Sequence, residues 1–336
     1  MRGDFYTLVS FNRDCIAISF VLCLCVLGYG SWRAFEIFDE TPSHFQAHSQ
    51  QMMLNGSKFW DMKEDYYGFS RSKLSNKTLI CNCFFALWPS DCVDKNDDLH
   101  ERLRVISAQM EVMDSTLTLY VTAMTQCSFP YPRISVELFN STELLTEMGF
   151  DRAFEKMNTW VKTRYTRYSD ILRLGLASKF GKAYMDTDIA YLQLRKELYL
   201  QPYVGAAVWS NSKNAIEISN AAFCLPRNIL KDMIAFQKTR ILRGDGKYFY
   251  TELGPSMFHN VLMNRHDVIL YSQNAPIESN LNAIARGVHK YGHKQLHLTG
   301  HVRKGNPAMR YGRLVNAIRG KCGFPKLTYT PRAKSV

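Results

Sequence analysis

SDILRLGLASKFGKAYMDTDIAYL, residues 169–192, is the stretch that decides the fold. In its first half, Ile171 with Leu174, and Leu172 with Leu176 and Phe180, recur at helical spacing and predict one core-facing surface. Ser169 stands where an N-cap hydroxyl would accept an early backbone amide. Gly181 supplies the left-handed residue on which helices commonly stop. The second half reads as a strand. Side chains alternate along a strand, so Tyr184, Asp186 and Asp188 share one face, and Met185, Thr187 and Ile189 the other. Two carboxylates that close repel each other unless a positive charge lies between them. A bound divalent cation answers that repulsion, and a capped turn at the strand end is the plainer alternative.

Asp170 and Arg173 are three residues apart, so they share a face in the predicted helix's opening turn. That face points to the end of the sheet where Asp186 and Asp188 emerge. Ligands of α/β sheets bind at the carboxyl ends of parallel strands, so the four charges mark one predicted site. Taken alone, Asp170 and Arg173 are also a plain surface salt bridge.

Outward from this stretch, TLICNCFFALW (78–88), STLTLYVTA (115–123) and RISVELF (133–139) read as strands rich in β-branched and aromatic residues. Helical stretches follow over 141–164. The alternation of strands and helices predicts an α/β domain with a mostly parallel central sheet. The chain's 336 residues fit one large α/β domain plus appendages, or two small domains, and no fixed-period repeat appears. Its net charge of +12 suits an anionic partner, either a diphosphate-bearing substrate or a membrane surface. No nucleic-acid-binding signature accompanies the charge, so a nucleic-acid partner is not expected.

Cys15–Trp32 is an uninterrupted apolar run at the lower length limit for a membrane-spanning helix. Arg2 and Arg13 precede it, and Glu36, Asp39 and Glu40 follow, which favours a cytoplasmic N-terminus. A cleaved signal peptide is the rival, but the run is long for one. The expected organisation is a tail (1–14), a signal-anchor helix (15–32), a polar stem (33–77) and a catalytic domain (78–330). Sequons at Asn55, Asn76 and Asn140 agree with a luminal domain. Of nine cysteines, Cys81, Cys83, Cys92, Cys127, Cys224 and Cys322 lie beyond the apolar run, match no zinc spacing and predict one to three disulfides.

The combined pattern Ser169-Asp170, Arg173, Phe180-Gly181, Tyr184-Met185-Asp186-Thr187-Asp188 resembles the donor-sugar region of DXD glycosyltransferases of family 32. SNAAF (219–223), TELGPSMFHNVL (251–262), LHLTGHVRKGNP (296–307) and GKCGFPKLTY (320–329) are similar to later motifs of that family, in order. Lys182, Leu253 and Arg303 depart from it, where a glycine, a glutamine and a tryptophan are usual.

The resemblance implies a GT-A-like single domain that transfers galactose or N-acetylglucosamine from a UDP-sugar to a glycolipid or glycoprotein glycan, with retention. It implies Mn²⁺ or another divalent cation held by Asp186, Asp188 and His301, with Asp186 on the metal or the ribose. It places Asp170, Arg173 and Asn220 on the donor sugar and Lys304 near the diphosphate, and leaves the catalytic base or nucleophile unassigned. A Golgi type II membrane protein with a luminal catalytic domain is the matching location.

Three other readings compete. A GDP-mannose-dependent α-1,6-mannosyltransferase shares the aspartate pair, and a catalytically weak membrane-anchored sugar-binding protein would explain the departures. A haloacid-dehalogenase-type phosphatase uses Asp-X-Asp-X-(Thr/Val), but Ala190 occupies the fifth position. His289, His293, His297 and His301 fall at four-residue intervals, which on a helix would make a zinc ladder. Gly292 and Gly300 interrupt that helix, and 296–299 reads as a strand, leaving a metal role to His301 alone.

Overall fold

The structure is a computed structural model that describes residues 79–91, 97–123, 129–151, 165–208, 216–243, 252–262, 265, 267–274, 280–298 and 309–330. The tail, the apolar run at 15–32, the stem and the sequons at Asn55 and Asn76 lie outside the described residues, as do His301, Arg303 and Lys304. Among the described residues no helix is long and apolar enough to cross a membrane.

The strands are β1 (Phe84–Asp91), β2 (Leu117–Ala123), β3 (Ile134–Leu138), β4 (Ala183–Met185), β5 (Ile189–Tyr191), β6 (Tyr203–Val208), β7 (Ile216–Cys224), β8 (Ile269–Asn274) and β9 (Gln295–His297). They form one mixed, mostly parallel sheet in the order β3-β2-β1-β4-β7-β6-β8-β9-β5. Pairing is parallel from β3 through β4 and again from β6 through β9, and antiparallel on both sides of β7 and between β5 and β9.

The period of two along the strands builds two cores. Phe85 and Leu87 of β1 with Tyr184 of β4 face one layer, made of α2 (Ser141–Glu147), α3 (Tyr165–Phe180), α5 (Arg227–Arg243) and α6 (Pro255–Leu262). Phe84 and Ala86 with Ala183 and Met185 face the other, against Leu99, Leu103, Ile106 and Met110 of α1 (Asp97–Val112). A third cluster joins β5 and β9 to α7 (Leu281–Tyr291) and α8 (Tyr311–Lys321). Burying one such large apolar side chain stabilises by roughly 1.5–3 kcal/mol.

Only Asp186, Thr187 and Asp188 separate β4 from β5, yet four strands stand between these two in the sheet. Laid flat, five strand spacings would part them by about 24 Å. The four Cα steps from Met185 to Ile189 reach at most about 15 Å. The sheet therefore curls, bringing its β9–β5 edge round to the end of β4. This curl decides the site.

Several expectations change in detail. Strand pairing in the first segment begins at Phe84 rather than residue 78, because the amides of Ile80 and Cys81 bond instead to the Leu200 carbonyl. Cys81 is also tied to Cys224 by a disulfide, while Cys83 and Cys322 are free thiols. Ser169 is not an N-cap: α3 starts at Tyr165, and the Ser169 hydroxyl accepts from Arg173 Nη2 at 2.9 Å. Asp170 and Arg173 accordingly lie in the second and third turns. The expected helical segment 141–164 contains α2, and 152–164 lies outside the described residues. The helix stop at Gly181 (φ +62°) is observed, as is Pro255 in the first position of α6.

Candidate metal centre

Asp186 and Asp188 sit in a tight turn rather than on a strand face. Ile189 N donates to Asp186 O at 3.0 Å and closes the turn, while Asp186 N donates to Ala221 O at 2.7 Å. Leu298 N donates to Asp188 O at 2.9 Å, which ties the turn to the end of β9. The plainer reading of the motif is thus correct about the backbone. It does not explain the side chains, which converge.

His297 is the residue that converges with them. It pairs with Ile189 across the β5–β9 ladder, and its Nε2 lies 3.5 Å from Asp188 Oδ1. The ligand atoms of Asp186, Asp188 and His297 all lie within 4.8 Å of one another. Two carboxylate oxygens and an imidazole nitrogen suit Mn²⁺ or a similar divalent ion, so the residues fit the cation that the motif implies. Sequence reasoning missed His297, although it assigned residues 296–299 to a strand. The available signal was that a strand carrying a histidine could pair with the IAY segment directly after the aspartates.

The four-residue histidine ladder does not form. α7 ends at Tyr291 and Gly292 takes the left-handed C-cap. His289 is exposed, whereas His293 is buried against Ser272 Oγ (2.6 Å) in a space left by Gly287.

Behind the turn, Asp170, Arg173 and Asn220 form one buried cluster, with Asp170 and Arg173 only 3% and 4% exposed. Asn220 Nδ2 donates to Asp170 Oδ1 at 2.7 Å, and Arg173 Nη2 lies 3.3 Å from the same oxygen. Arg173 Nη1 donates to the Asn220 carbonyl at 2.9 Å and approaches Asp186 Oδ1 at 3.6 Å. The guanidinium also stacks over Tyr184, whose hydroxyl donates to Asp186 Oδ1. Asn220 lies within β7. Gly254, just before α6, completes the cluster by leaving room for it.

Electrostatics distinguish the three carboxylates. Burial pushes Asp170 up to about 6, against the opposing pull of Arg173 and Asn220. Burial also raises Asp186, with Arg173 pulling the other way. Asp188 is half-buried and loses solvation too, but His297 and Arg102 outweigh that and hold it at about 2. The reciprocal effect raises His297, since Asp188 and Asp186 overcome its desolvation.

Two departures from the motif have structural explanations. The Lys182 ammonium donates to Thr118 Oγ1 (2.9 Å) and Tyr120 OH (3.1 Å) at the entry to β4, the end opposite Asp186. Leu253 is fully buried in the core, and its carbonyl accepts from Gln237. Glu252 pairs with Arg240.

No family model and no curated protein matches the chain. Among solved structures, the PaToxG glycosyltransferase is similar over 81% of this chain and 91% of that one, at 13% identity and a TM-score of 0.40.

Proposed function

We propose that the chain is a metal-dependent glycosyltransferase of GT-A-like architecture that uses a nucleotide-sugar donor. One observation carries this reading: Asp186, Asp188 and His297 converge at the carboxyl end of β4, directly in front of the buried Asp170–Asn220–Arg173 cluster. A divalent cation there would offset the charge that develops on a nucleoside diphosphate leaving group. Asp186, Asp188 and His297 would hold it. Asp170 and Arg173, locked in one orientation by Asn220 and Ser169, offer a fixed acceptor and donor for sugar hydroxyls.

The motif spacing over 169–188 supports the finer assignment to family 32, with UDP-galactose or UDP-N-acetylglucosamine as donor and a glycolipid or glycoprotein glycan as acceptor. The apolar run at 15–32 and the downstream sequons support a Golgi type II membrane protein with residues 78–330 as the luminal catalytic domain. His301 and Lys304, outside the described residues, are assigned beside the metal and the diphosphate by the motif resemblance alone.

The test is a donor-hydrolysis screen of the purified full chain across UDP- and GDP-sugars with and without Mn²⁺. Mn²⁺-dependent release of sugar from a UDP-sugar is the expected result. Preference for GDP-mannose would move the chain to the mannosyltransferases. Binding without turnover would mark a sugar-binding protein, and release of phosphate from simple phosphomonoesters would refute sugar transfer.

A further inference from the structure

Two arginines flank the metal centre from opposite sides, and Arg102 is the less closely held. Arg173, beside Asp186, has every nitrogen engaged: Nε with the Ser169 carbonyl, Nη1 with the Asn220 carbonyl, Nη2 with the Ser169 hydroxyl. Arg102 reaches Asp188 from α1 and has one close partner, Asp98 Oδ2 at 2.9 Å. Its approaches to Thr187 Oγ1 (3.3 Å) and Asp188 Oδ2 (3.8 Å) are long, and its Nε is buried without a hydrogen-bond partner among the described residues. The Tyr311 hydroxyl, in the field of the same Asp188 and Arg102, is likewise buried and unpartnered among the described residues. Buried donors without partners destabilise the fold, so their clustering needs a reason.

The metal supplies one. Asp98 already pairs with Arg102 and Asp170 with Arg173, so four carboxylates face two guanidiniums around the turn. A divalent cation held by Asp188 would take over that carboxylate and leave the Arg102 donors that now reach towards it without an acceptor. A nucleoside diphosphate beside the metal carries the charge and the oxygen geometry that a guanidinium grips in pairs.

We propose that Arg102 is a diphosphate-binding residue, whose donors pair with Asp188 here and with the phosphate oxygens of a bound nucleoside diphosphate. The inference rests on the nucleotide-sugar reading above and adds to it a residue that the sequence motifs do not contain. A consequence is that metal and diphosphate are coupled: each strengthens the binding of the other by the same factor.

The experiment is calorimetric titration of the full chain with Mn²⁺ alone, and with UDP or GDP in the presence of Mn²⁺. It compares wild type with Arg102→Ala, Arg102→Gln and Arg102→Lys. Loss of Arg102 should weaken binding of the nucleoside diphosphate with Mn²⁺ by about 10- to 100-fold, the range for a charged hydrogen bond. Binding of Mn²⁺ alone should not weaken, and Arg102→Lys should recover part of the loss. Unchanged diphosphate binding in Arg102→Ala and Arg102→Gln overturns the proposal. So does an equal loss for Mn²⁺ alone, which would make Arg102 a support for Asp188. Failure of the wild type to bind either nucleotide with Mn²⁺ overturns the donor reading as well, an outcome distinct from the other two.

Discussion

Gly254→Ala is the sharpest test of how the pocket behind the metal centre is built. A Cβ at this position would lie 2.6 Å from Asp170 Oδ2 and 2.6 Å from Asn220 Nδ2. Neither side chain can recoil freely, because both are buried and bonded to each other at 2.7 Å. The glycine cannot retreat easily either: Gln237 Nε2 holds the adjacent Leu253 carbonyl at 2.7 Å and the Asp170 carbonyl at 3.2 Å. Forcing a methyl into a packed site costs about 1–3 kcal/mol. Breaking the charged Asn220–Asp170 hydrogen bond costs about 1.5–3 kcal/mol. The expected loss is therefore about 2.5–6 kcal/mol, read as a lower urea midpoint at unchanged slope. Ligand binding should split at the same time. Affinity for the nucleotide sugar should fall well below wild type, while Mn²⁺-dependent affinity for free UDP, whose metal ligands are untouched, should stay within about twofold. A stability change under about 0.5 kcal/mol with unaltered sugar binding would refute the close approach of Gly254 to Asp170 as a determinant of the site.

Three further outcomes are expected. His297→Ala should weaken Mn²⁺-dependent UDP binding about tenfold or more, and a Mn²⁺ titration that matches wild type would remove His297 from the ligand set. His293 is held neutral by burial, down to about 3; its unfolded value is about 6.5, so the unfolded state binds more protons below that pH. The stability that His293 contributes is complete above pH 6.5 and is lost as pH falls towards 3, amounting to about 2–3 kcal/mol by pH 4.5. His293→Gln should flatten that part of the stability–pH curve, and an unchanged curve would contradict the assignment. Cys81→Ser should cost about 2–5 kcal/mol by opening the Cys81–Cys224 bridge, and equal thermal midpoints with and without reductant would show that the bridge does not form.

The residues that were legible in the sequence are those whose relation is local. Leu172, Leu176 and Phe180 fix a helical face by spacing alone, and Gly181 ends it because a left-handed residue is needed there. Asp170 and Arg173 could be joined for the same reason, being one turn apart, although the helix begins earlier than Ser169 suggested. The aspartate pair announced itself through mutual repulsion, but the backbone between Met185 and Ile189 turns where alternation predicted a strand. An isolated Asp-X-Asp reads equally well either way, and the bonds that choose, from Asp186 to Ala221 and from Leu298 to Asp188, come from distant strands.

What only the tertiary structure decided is that His297 meets the two aspartates and that Arg102 faces Asp188. His297 reaches the aspartates because the sheet curls until β9 pairs with β5, and a motif reports order along the chain, not proximity across a ladder. Arg102 carries no motif at all. It faces Asp188 because the apolar face of α1 packs on the sheet beside the turn, a consequence of packing that no spacing within residues 97–112 encodes. Sequence determines which side chains are available and which local backbone they favour. The curl of the sheet, set by strand twist and a three-residue connection, determines which of them meet.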